Sequence, residues 1–246
     1  MCHDPESRAP APPLHGEVAS HGPLTITSAD GTAISAYGAT PADPRGISVV
    51  VLPDVRGLHP FYADLAVRFA EAGYEALALD YFDRIAGPGA RGEDFDFRAH
   101  VGQVRPDDVA ADVRGAIGDL AARGAGPTFT VGFCFGGGLS WRMSAVVPEI
   151  AGAIGFYGRL SLAAEVVDDL TAPLLMLLGG ADQAMLPEAL DAFTSRLDAR
   201  DLAHEQHVYE GAPHSFFDRS FADWQDASAD AWDRMIRFTD RHCGRL

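Results

Sequence analysis

The chain has 246 residues, 35 of them acidic and 19 basic, for a formal net charge of −16 at pH 7, and every basic residue is Arg. Hydrophobic residues at 47% and charged residues at 22% are ordinary for a globular protein, and a chain of this length buries a full core without metals or disulfides. The acid excess excludes nucleic acid as the main partner and disfavours anionic membrane surfaces, while no apolar run reaches the roughly 18 residues of a membrane span.

Residues 1–22 hold four prolines and scattered charges, and read as an irregular N-terminal arm before one domain over 23–246. The first sixteen residues lack the apolar run of a secretory signal, so the expected location is the cytoplasm. Cys2, Cys134 and Cys243 are too few and too scattered for a disulfide framework. Leu24–Thr27 and Ala33–Tyr37 predict a hairpin with Asp30-Gly31 at its turn. Ile47–Leu52 is a β-branched run stopped by Pro53, the profile of a strand buried on both faces. A helix over Phe61–Ala72 is stopped by Gly73, and a second strand covers Tyr74–Leu79. Pro88–Arg105 is the longest irregular stretch, of the kind that serves as a lid or binding loop. Then follow a helix over Asp107–Ala122, a strand over Thr128–Phe133 and a helix over Leu139–Val147. Strands at Ala153–Phe156, Leu174–Leu178 and Glu205–Tyr209 alternate with helices at Pro187–Leu197 and Phe221–Arg241. This alternation predicts an α/β fold with a mostly parallel central sheet and helices on both faces.

The chemistry concentrates in Gly132-Phe133-Cys134-Phe135-Gly136-Gly137, where a strand enters, one residue occupies a sharp turn, and a helix leaves. That is the layout of a nucleophile elbow, with Cys at the turn. Glycines at 132 and 136 let strand and helix close around a residue whose φ is expected to be positive. The helix N-terminus favours a thiolate, and the Phe135 N–H is placed to donate to an oxyanion. An elbow needs an acid and then a His further along the chain. Asp182 and His214 follow successive strands, the acid 48 residues after the Cys and the His 32 residues after the acid. All three side chains then converge at the C-terminal ends of adjacent strands. Each has an ordinary alternative: Cys134 a small core residue, Asp182 a turn former, His214 a loop residue bonded to backbone. No metal-ligand spacing appears.

These residues, with Gly179-Gly180-Ala181-Asp182 and Gly211-Ala212-Pro213-His214-Ser215-Phe216, resemble the dienelactone hydrolases (carboxymethylenebutenolidases) of the α/β-hydrolase fold, from about residue 47 to 241. The resemblance implies hydrolysis of dienelactone-like cyclic enol esters without metal or organic cofactor. It implies Cys134 as nucleophile, His214 as base and Asp182 as its orienting acid, with the second oxyanion N–H from Val55. A family Glu that pairs with the resting thiol corresponds to Asp54, one methylene shorter and also readable as a turn residue. Two family arginines hold a substrate carboxylate. Arg84 matches the first, whereas the second position holds Asp218, leaving Arg219, one residue on, and Arg56, beside the oxyanion loop, as candidates. Phe61, Phe82, Phe95, Phe97 and Phe216 are candidates to line the pocket, although aromatic residues at such spacings also serve a core. The expected partner is a small ester or lactone, carboxylate-bearing if the arginines serve. The same residues also fit a carboxylesterase or thioesterase on another substrate, or a silent small-ligand binder of this fold.

Overall fold

The computed structural model describes residues 8–92, 94–218 and 220–244. Its strands are β1 (Val18–Thr27), β2 (Ala33–Pro41), β3 (Ser48–Leu52), β4 (Glu75–Leu79), β5 (Thr128–Phe133), β6 (Ile150–Phe156), β7 (Leu174–Gly179) and β8 (His204–Tyr209). They form one sheet in the order β1-β2-β4-β3-β5-β6-β7-β8. The pairs β1–β2 and β2–β4 are antiparallel, and every pair from β4 through β3 to β8 is parallel. The five residues of β3 are all buried, as a two-sided apolar run requires.

Alternation along β3 sends Val49 and Val51 into one core layer and Val50 and Leu52 into the other. The first layer is closed by α1 (Pro60–Glu71) and α8 (Gln225–His242), through Phe69, Trp232 and Phe238 among others. The second is closed by α4 (Pro106–Ala122), α5 (Phe135–Val146) and α7 (Pro187–Ala199). Three short helices, α2 (Asp83–Ala86), α3 (Phe97–His100) and α6 (Leu160–Ala164), lie in the connections after β4 and β6. The α/β architecture with a mostly parallel sheet expected from the alternation is therefore present, as the resemblance to the α/β-hydrolase fold also implies.

Two readings of local structure are corrected. The arm ends earlier than residue 22, because residues 18–22 belong to β1 and pair with β2. Their polar, half-exposed pattern at the edge of the sheet conceals a strand from hydropathy alone. Residues 8–17 lack regular structure yet are pinned. Ala9 N–H donates to Asp64 (2.9 Å), the Trp232 indole donates to the Pro10 carbonyl (3.0 Å), and Gly16 N–H donates to Glu71 O (2.7 Å). The 88–105 stretch is also more ordered than its composition suggests, since it contains α3 and a 3₁₀ turn at Val101–Gln103. Arg91 fastens it through ion pairs to Asp80 (2.6 Å) and Asp83 (2.9 Å).

Candidate active site

Cys134 stands between β5 and α5 with φ 54° and ψ −113°, outside the helical range and in the left-handed half of backbone space. The turn is possible because both flanking glycines lack a side chain. A Cβ on Gly132 would stand 2.0 Å from Gly136 O, and one on Gly136 would stand 2.2 Å from both Leu52 O and Pro53 O. Strained backbone clusters around this point: of the four non-glycine residues with positive φ among those described, Cys134, Tyr157 and Ser215 belong to it or adjoin it.

Asp182 follows β7 and His214 follows β8. The His214 Nδ1 lies 2.7 Å from Asp182 Oδ2, while the other carboxylate oxygen accepts from Ala184 N–H at 2.9 Å. The turn-forming alternative for Asp182 and its pairing with the His are thus both realised, one on each oxygen. Cys134 also interacts with the imidazole of His214 and favours its charged form. Burial works against the imidazolium, but the bond to Asp182 and the interaction with Cys134 outweigh it and push the His214 pKa up to about 10. Burial likewise works against ionised Asp182, and the His214 and Ala184 bonds outweigh it, holding the carboxyl below its ordinary value.

These three groups face a cavity of about 300 Å³. Val55 and Phe135 line it, and neither backbone N–H has an acceptor among the described residues. The Phe135 N–H belongs to the first turn of α5, which offers it no intrahelical partner. The loop carrying Val55 is fixed from below: the Tyr81 hydroxyl hydrogen-bonds the carbonyls of Pro53 (2.7 Å) and Asp54 (2.8 Å), and Asp54 N–H donates to the Tyr62 hydroxyl (3.0 Å). Phe97, Val101 and Met185 supply apolar wall. Among the described residues no cluster of three or more His, Cys, Asp and Glu side chains is set to hold a metal ion.

The other expected site residues take different places. Asp54 is 3% exposed, and its carboxylate accepts from the Arg56 backbone N–H (2.8 Å) and from the Arg56 guanidinium (3.0 Å to each oxygen), so its partner here is Arg56. Arg56 also pairs with Asp218 and lies over the rings of Phe61 and Tyr62, each 5.4 Å from the ring centroid. Burial works against its charge, but Tyr62, Asp54 and Asp218 hold it in the protonated state, with a raised pKa. At 4% exposure this guanidinium is part of the scaffold beneath the site and no substrate clamp. Arg84 is corrected for the same kind of reason. It sits on α2, where Asp112 (2.6 Å), Asp30 (2.8 Å) and Ser28 (2.8 Å) consume its donors, and it does not line the cavity. Phe216 is fully buried against Tyr157 and Tyr209 and belongs to the core, as do Phe61 and Phe82. Of the five phenylalanines considered, Phe97 alone lines the cavity, and Arg219 lies outside the described residues.

Sequence reading missed Tyr157 and Arg159, which line the cavity just after β6. A usable signal existed: in a parallel sheet, residues beyond the C-terminal end of each central strand converge, and 157–159 follow β6 as Val55 follows β3. Tyr157 packs against His214 with ring centroids 4.9 Å apart.

Comparison with known proteins adds relatives to this geometry. The family model described as the dienelactone hydrolase family matches residues 34–243. A protein assigned by name as a carboxymethylenebutenolidase in Escherichia coli (strain K12) is 28% identical over 242 residues, covering 90% of this chain and 88% of that protein. One so assigned in Saccharolobus solfataricus is 29% identical, covering 86% of this chain and 95% of its own length. Among solved structures, a Klebsiella pneumoniae protein assigned as a dienelactone hydrolase superimposes with a TM-score of 0.76 at 29% identity, covering 89% of this chain and 97% of that one.

Proposed function

The chain belongs to the dienelactone hydrolase family and is an ester hydrolase, and from that premise we propose that it cleaves small carboxylic esters or enol lactones by acyl transfer through Cys134, His214 and Asp182. The observation that carries this reading is the Asp182–His214 hydrogen bond on the same cavity as Cys134, whose sulfur stands at a positive-φ turn on a helix N-terminus.

The Cys134 thiolate attacks the carbonyl carbon, and the developing oxyanion takes hydrogen bonds from the Val55 and Phe135 N–H groups. As the C–O bond breaks, the leaving oxygen takes the proton held on His214 Nε2. In a cyclic substrate this oxygen stays tethered to the acyl group. His214, now neutral, removes a proton from water, hydroxide adds to the thioester, and the acid departs as the Cys134 thiolate reforms. Asp182 keeps Nδ1 protonated throughout, so the same nitrogen faces the reaction in both halves. A cavity of about 300 Å³ is at the small end for ligand sites and favours compact esters.

The test is hydrolysis of 4-nitrophenyl acetate and of a carboxymethylene butenolide by Cys134→Ala. Loss of kcat/KM by about 10³-fold or more is expected, in the range of nucleophile removal in triad enzymes. Retention of activity on either ester would overturn the assignment.

A further inference from the structure

With Arg84 and Arg56 both committed elsewhere, the cavity still contains a guanidinium. Arg159 lines it, is exposed, and among the described residues enters no side-chain ion pair or hydrogen bond. Arg8, Arg98, Arg105 and Arg237 enter none among the described residues either, but none of these lines the cavity. Arg142 and Arg196, by contrast, are paired with Glu165 and Asp168. The charged groups sharing the cavity with Arg159 are Asp182 and His214. The carboxylate of Asp182 is 3% exposed and already engaged by His214 and Ala184, so it does not neutralise Arg159.

The backbone of Arg159 is held against the nucleophile's own helix. Cys134 N–H donates to Phe156 O at 3.0 Å, three residues before Arg159. Gly138, in the first turn of α5, lies so close that a Cβ there would stand 2.5 Å from Arg159 O. The Arg159 main chain is therefore fixed relative to Cys134, while its side chain reaches over the cavity with its donors unspent. The facing wall, Phe97, Val101 and Met185, offers hydrocarbon and no competing charge.

We infer that Arg159 is the specificity-determining cation of this site, pairing with a carboxylate carried by the substrate while the ester carbonyl lies over Cys134. A planar guanidinium presents two parallel N–H donors to the two carboxylate oxygens, which fixes orientation as well as charge. In a chain of net charge −16, only such a local group selects an anion that the molecule as a whole repels. The inference rests on the acyl-transfer reading above, and its test separates the two.

Two readouts are needed. The first is kcat/KM for a carboxymethylene butenolide as the free acid and as its primary amide, with wild type, Arg159→Gln and Arg159→Lys. The acid-to-amide ratio is expected to fall about tenfold or more in Arg159→Gln, mainly through KM, and to recover in part in Arg159→Lys. An unchanged ratio overturns the role of Arg159 and leaves Cys134 chemistry standing. The second readout needs no turnover: the rate of alkylation of Cys134 by iodoacetate relative to iodoacetamide, followed by mass spectrometry of the peptide that contains it. That ratio is expected to fall several-fold in Arg159→Gln. If wild type hydrolyses neither ester, a fallen alkylation ratio supports Arg159 as an anion site while the hydrolytic reading fails, and an unchanged ratio overturns both.

Discussion

His214 is the residue on which the proposed chemistry turns, and its interactions with Asp182 and Cys134 have different lifetimes in that chemistry. Asp182 stays ionised and bonded throughout, whereas the contribution of Cys134 ends when the sulfur becomes a thioester. The imidazole thus begins as an acid, with its pKa pushed up to about 10, and becomes a better base once the sulfur is acylated, which is the order in which the two halves need it. Replacement of Cys134 by Ala imitates the loss of that interaction with the sulfur. The His214 pKa, followed by NMR titration of the ring carbons, is expected to drop from about 10 toward the ordinary value in Cys134→Ala, and an unmoved titration would refute the coupling. The same shift has a stability sign. A histidine raised from 6.5 to about 10 on folding contributes stability that is complete below pH 6.5 and vanishes as pH rises through about 10. At this scale the sequence was legible where geometry is dictated by neighbours and opaque where it is dictated by partners. The glycines at 132 and 136 announced the Cys134 turn. Nothing near Arg84 announced Asp112, which lies 28 residues away on the buried face of α4.

At the scale of elements, the connection from β5 into α5 has local propensity and packing opposed. Alanine is a better helix former than glycine by about 1 kcal/mol, so propensity alone predicts that Gly136→Ala strengthens α5. The added methyl would meet two backbone carbonyl oxygens at 2.2 Å, and neither Leu52 nor Pro53 can swing its main chain aside without moving β3. Overpacking of this kind costs about 1–3 kcal/mol or more, and it wins. A lower urea midpoint is expected for Gly136→Ala, and a higher one would show that β3 yields. The central strands were legible for the converse reason, since propensity, burial and spacing agree in β3, β5 and β7. The edge strand β1 has only one strand neighbour, so six of its ten positions are exposed and its first five residues passed for arm. The order in 88–105 was invisible because it comes from Arg91 reaching out of the segment to Asp80 and Asp83.

Over the whole molecule, −16 charges on 246 residues repel one another, and the surface pairs offset this only locally. Raising NaCl from about 0.01 M to about 0.1 M shortens the Debye length from about 30 Å to about 10 Å and relieves that repulsion. An increase in Tm is expected, about 2–4 °C for each kcal/mol gained in a chain of this size. A fall would mean that exposed pairs such as Arg196–Asp168 contribute more than the net charge costs. The strap of residues 8–17 adds a consequence in time. Pro10 accepts from the indole of Trp232, 222 residues later, while Ala9 and Gly16 bind α1. On the ribosome the strap is made 222 residues before the Trp232 half of its berth. The sheet and its elbow can assemble while these residues wait, and their docking onto α8 becomes a clasp closed after the sheet between them is in place.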